Sequence, residues 1–187
     1  MSQKKDKEKI LFFRESSFKI AKFIFDYPNK TFHIRMLEKE TGFSTTAIMK
    51  SIKDLESFRI ITVEKTALTT NIKADINSEA YRFYKQVFNL YRLKRYSIVD
   101  NLINIFNNPK TIVLFGSFAK GEDIEESDID ILIISSFKPE DINLAVYEKG
   151  LNRKINLHIL NDLDKSSNEF KNAVANGIIL HGYLKVI

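Results

Sequence analysis

The sequence predicts a two-domain α+β chain, with helices and a β pair in front and an α/β region behind. Three observations carry that prediction. Apolar residues recur at spacings of three and four up to Leu55, as helices require. Beyond Thr111, short β-branched runs such as Ile129–Ile134 alternate with helical stretches, the pattern of strands joined by helices. Charge divides the same way: residues 1–110 carry 21 Lys+Arg against 12 Asp+Glu and residues 111–187 carry 8 against 12, splitting the net +5 into +9 and −4. A basic front and an acidic back point to different partners, the front being suited to a polyanion.

With 187 residues the chain has room for two small domains, each burying a core. It has no cysteine, which excludes disulfides and thiolate metal sites and makes a reducing cytoplasm the expected setting. No run approaches the ~20 apolar residues of a membrane-spanning helix. A soluble cytoplasmic protein with no membrane partner is expected.

Residues 1–15 read as a solvated lead-in. Phe18, Ile20, Ala21, Ile24 and Phe25 give a first helix over 17–27, stopped by Pro28-Asn29. A second helix fits 31–41, with Ile34 and Leu37 inward and Gly42 as its carboxyl-side cap. Ser44 caps a third over 45–57, whose stripe is Ile48, Met49, Ile52 and Leu55. Two β-type runs follow at 60–64 and 71–76. Three helices and a β-hairpin, with Thr41-Gly42-Phe43-Ser44 as the turn, resemble a winged helix-turn-helix, placed at 1–77. That resemblance implies a double-stranded DNA partner, with Thr45, Thr46, Lys50 and Lys53 facing the major groove and Lys65 and Lys73 near the wing.

Residues 80–93 repeat aromatics at helical spacing, Tyr81, Phe83, Tyr84, Phe88 and Tyr91 among them, interleaved with Arg82, Lys85, Arg92, Lys94 and Arg95. The segment 78–96 is a connector on one reading and the seam of a homodimer on the other, since winged helices commonly bind DNA as pairs. Base stacking by the tyrosines is the weaker reading, because helical spacing is what a packing stripe requires. The second domain is placed at 97–187. A helix over 97–106 turns at Asn107-Asn108-Pro109 into a strand, 111–115. Pro139 opens a helix to about Leu151. A strand at 154–160, a helix at 166–175 and the apolar ending Ile178–Gly182 follow.

The first strand ends in Gly116-Ser117, and ten residues later another opens with Asp128-Ile129-Asp130. Alternation along a strand puts both carboxylates on one face. They repel unless a cation sits between them, and a hard divalent ion suits oxygen ligands. A Gly-Ser turn that opens a helix would offer backbone N–H groups to a phosphate. Phe115-Gly116-Ser117, Lys120-Gly121 and Asp128-Ile129-Asp130 together resemble the DNA polymerase beta-like nucleotidyltransferase superfamily, and the closing Gly177-Ile178-Ile179-Leu180 resembles its small members. The resemblance implies a small mixed sheet flanked by helices. It also implies Mg²⁺- or Mn²⁺-dependent transfer of a nucleoside monophosphate from an NTP to a protein or RNA hydroxyl, in the manner of antitoxins that modify a partner toxin. On this resemblance Asp128 and Asp130 are the catalytic metal ligands, while Gly116, Ser117 and Lys120 hold the triphosphate.

One departure bears on activity. Relatives add a third acid from a later strand, and the matching face here carries Asn156 and His158. An amide or imidazole is a poorer Mg²⁺ ligand than a carboxylate. A second reading therefore stands beside the first: a DNA-binding transcriptional regulator whose degenerate nucleotidyltransferase domain binds nucleotide or a partner protein without turnover. Asp162 and Asp164, just past the strand, are the acids closest to hand. The loop 121–127, with Glu122, Asp123, Glu125 and Glu126, reads as a solvated acidic loop more readily than as a docking surface.

Overall fold

The computed structural model describes residues 14–185; the expected lead-in lies outside them except for its last two positions. The chain divides between Tyr81 and Arg82 into two compact units. The first holds helices α1 (Glu15–Asp26), α2 (Ile34–Thr41) and α3 (Thr45–Ser57). Its antiparallel sheet has the order β1-β3-β2, from β1 (Phe32–His33), β2 (Ile61–Lys65) and β3 (Thr70–Ala74). Ile20, Ile24, Leu37, Ile48, Leu55 and Ile72 are fully buried, each contributing about 1.5–3 kcal/mol. Ser44 Oγ accepts the Ala47 N–H at 3.4 Å and opens α3. The helix expected from residue 31 begins only at Ile34. Phe32 is buried on extended backbone and pairs with Ile72 in the sheet, which holds residues 32–33 out of the helix.

Helix α4 (Glu79–Arg95) crosses the division, and the second unit continues with α5 (Ile98–Ile105), β4 (Thr111–Phe115) and α6 (Gly116–Lys120). Next come β5 (Ile129–Ile134), α7 (Ala145–Leu151), β6 (Ile155–Leu160), α8 (Asn168–Ala175) and β7 (Ile178–Gly182). The sheet order is β6-β5-β4-β7, with β5 and β6 parallel and the other pairs antiparallel. Strand alternation feeds two cores. Ile112, Leu114, Ile131 and Ile133 pack with Leu102, Phe106 and Phe118, while Val113, Phe115, Leu132 and Ile134 pack with Leu163 and Val174. The helix expected from Pro139 starts at Ala145 instead. Asn143 Oδ1 accepts the Ala145 N–H at 3.1 Å, and that local bond fixes the start of α7 beyond the proline. No helix among the described residues is long and apolar enough to cross a membrane.

Candidate functional site

Strand alternation brings Phe115, Asp130, Asn156 and His158 to one face of the second sheet. Phe115 stands opposite Asp130 across the antiparallel pair, and Asp130 opposite Asn156 across the parallel one. His158, two residues further along β6, shares that face. Helix α8 covers it through Phe170, whose ring lies 5.5 Å from Phe115 and 5.4 Å from His158. Asp130 keeps 28% of its side chain exposed.

Gly116 opens α6 directly beside that carboxylate. Its φ is +75°, and a Cβ there would come within 2.6 Å of Asp130 Oδ2. Both the left-handed backbone and the contact require glycine. Ser117 is half-buried and Lys120 exposed on the same short helix. The other oxygen of Asp130, Oδ1, accepts from Asn156 Nδ2 at 3.2 Å. His158 Nε2 lies 3.6 Å from that oxygen, buried and with no hydrogen-bond partner among the described residues.

Asp128 stands just before β5, exposed at the strand's entry and outside the hydrogen-bonded ladder. It lines a cleft of about 470 Å³ with Glu125, Glu126, Glu148, Arg153 and Lys154. Among the described residues no group of three or more His, Asp or Glu side chains is placed to hold a metal ion. Mg²⁺ is commonly bound by one or two protein carboxylates together with waters and substrate phosphates; Asp130, beside Gly116, is one such carboxylate, while Asp128 lines a cleft whose lining does not include Asp130. Asp162 and Asp164 do not complete the set. They line a separate cavity of about 360 Å³ with Thr111 and Ile134. Ile134 is the far end of β5, four residues and so roughly 13 Å from Asp130.

A second constellation was hidden in the sequence. The expected solvated loop contains a buried acid, Asp123, with its side chain 2% exposed. Lys85 Nζ lies 3.3 Å from Asp123 Oδ1 and donates to the Asp123 carbonyl. Asn89 Nδ2 donates to Asp123 Oδ1 and to the Phe118 carbonyl, both at 2.9 Å, and Gln86 Nε2 to the Ala119 carbonyl at 2.6 Å. Arg153 lies 3.8 Å from Asp123 Oδ2, and Arg92 donates to the Leu151 carbonyl. The Asn89 and Gln86 bonds satisfy carbonyls at the end of α6 that have no helical partner. Gly121 then turns the chain at φ +70°, so close to α4 that a Cβ would collide with the Arg82 carbonyl oxygen. Burial pushes the Asp123 carboxyl up, against the opposing pull of Lys85, Asn89 and Arg153. The signal in the sequence was the spacing of Lys85, Asn89 and Arg92, four and three apart, which is itself a stripe.

In the first unit Thr45, Thr46, Lys50, Lys53 and Lys65 are exposed. The Thr45 hydroxyl donates to the Glu38 carboxylate, and Lys73 pairs with Glu64 at 3.1 Å.

No curated protein and no solved structure matches the chain. Residues 99–183, which hold Gly116, Asp128, Asp130, Asn156 and His158, match the model of the Polymerase beta, Nucleotidyltransferase family. That match supports a nucleotidyltransferase domain in this segment and, with it, a general nucleotidyltransferase function.

Proposed function

We propose that the chain is an Mg²⁺- or Mn²⁺-dependent nucleotidyltransferase that moves a nucleoside monophosphate from an NTP to a protein or RNA hydroxyl. In this reading it is tethered to a winged helix-turn-helix that binds double-stranded DNA. The observation that carries the reading is the meeting of the Gly116 turn with the Asp130 carboxylate, where a Cβ would lie 2.6 Å from Oδ2. A phosphate-binding turn and a cation ligand are then in contact. Asp128 and Asp130 would hold the cation, whose charge, when it is bound, offsets that of the triphosphate. Gly116 keeps the approach to its backbone open, the Ser117 hydroxyl and N–H bind phosphate oxygens, and Lys120 adds a positive charge. The acceptor oxygen bonds to the α-phosphorus, pyrophosphate leaves with the α–β bridging oxygen, and the acceptor's proton passes to solvent. Incubation of labelled NTP and Mg²⁺ with protein and RNA acceptors, a partner toxin included, tests this. Transfer is expected to fall about a hundredfold or more in Asp128→Ala and in Asp130→Ala. Equal transfer by those variants, or none by the unmodified chain, would reject the reading.

One observation favours a second reading. The place of a third acid is taken by Asn156, a neutral amide that donates to Asp130. A regulator that binds DNA and responds to a nucleotide or a partner protein without turnover would bind NTP yet transfer nothing. Thr45, Thr46, Lys50, Lys53, Lys65 and Lys73 serve DNA in either case. Pairing of two copies would use the exposed Phe83 and Tyr91 of α4, and sedimentation of Phe83→Ser beside the unmodified chain would detect it.

A further inference from the structure

Asp130 presents two unlike oxygens. Oδ1 is met by the Asn156 amide at 3.2 Å and by His158 Nε2 at 3.6 Å. The imidazole is held in place between Phe115, at 5.2 Å, and Phe170, at 5.4 Å. The Asn156 amide sets the positive end of its dipole on the oxygen where a cation would need an anionic one. Oδ2 is the oxygen that lies against Gly116. The parallel register fixes the arrangement, since Asn156 is opposite Asp130 in the ladder.

We infer that Asn156 is a positioning residue. It holds Oδ1 of Asp130 and turns Oδ2 toward the Gly116-Ser117 turn, so that the site takes one divalent cation with its nucleotide and not two. The inference rests on the nucleotidyltransferase reading and specifies how this chain departs from a two-ion site. A second ion would need an anionic oxygen on the β6 side, and that side offers an amide and a ring nitrogen.

The test is a Mn²⁺ titration of the full chain, followed by electron paramagnetic resonance, with a non-hydrolysable NTP analogue present. The unmodified chain is expected to bind one Mn²⁺. Asn156→Ala should bind it about 10- to 100-fold more weakly, as loss of a ligand-orienting partner does, with the cation-free unfolding temperature nearly unchanged because Asn156 is exposed. Asn156→Asp should take up a second Mn²⁺. Two ions on the unmodified chain, or unchanged affinity in Asn156→Ala, would overturn the inference and leave the nucleotidyltransferase reading standing. Uptake of neither Mn²⁺ nor the analogue by the unmodified chain would overturn both.

Discussion

Gly116 is the residue on which the site turns. A side chain there would meet the Asp130 carboxylate at 2.6 Å while forcing an L-residue to φ +75°. Gly116→Ala is expected to cost about 1–2 kcal/mol from backbone strain alone, read as a shift in the urea midpoint. It should also displace Asp130 and weaken nucleotide binding by more than that stability loss explains, which calorimetry with an NTP analogue would show. Gly121→Ala should be the more damaging change, because its obstacle is the α4 backbone and not a movable side chain. Both glycines stood out in the sequence beside Ser117 and Lys120. Which groups they touch was not legible, because Asp130 and Arg82 reach them only through tertiary pairing.

Helix α4 teaches the opposite lesson. Its aromatic stripe was visible as a packing face, with its cations noted only as interleaved between the aromatics. Lys85 and Arg92 are in fact buried, together with Asn89. Periodicity reports which positions face inward, yet a lysine at an inward position is legible only when its partner is known, and Asp123 lies 38 residues away. Removing that partner charge has a defined cost. Lys85→Met leaves a buried carboxylate with less compensation and is expected to lose about 3–5 kcal/mol at neutral pH. The sign with pH follows from Asp123, whose folded-state carboxyl is raised by burial. A raised acid favours the folded state below the ordinary carboxylate range, and that benefit is lost as pH rises through the folded value. The deficit of Lys85→Met should therefore narrow on acidification and widen toward neutrality. Urea unfolding of both proteins across that range measures it; a deficit independent of pH would mean that Asp123 does not carry it.

At the scale of the whole molecule, the charge asymmetry needs the same correction. The excess of +9 over residues 1–110 counts Lys85 and Arg92, which the second unit uses in its own interior. What remains for a polyanion is the exposed set that includes Lys50, Lys53 and Lys65. Replacing Lys50 and Lys53 by Ala is expected to reduce the slope of log affinity against log salt by about one for each phosphate no longer neutralised. An unchanged slope in a DNA titration would direct attention to protein docking instead. The alternating strands were legible because period-two burial marks them, and the mixed sheet and the strand carrying Asn156 and His158 were implied by the family resemblance; that both lie against Asp130 came only from the strand register. The clasp on α6 was not legible. It also decides what can be cut away. The family likeness begins at residue 99, yet the α4 groups that hold Asp123 and the end of α6 lie between residues 85 and 89. A fragment trimmed to start at residue 97 is expected to aggregate, whereas one starting at residue 79 should stay in solution, a contrast that size-exclusion chromatography would resolve. The smallest transplantable piece of this protein is then expected to be longer than the segment that matches the family, with α4 as part of its cargo.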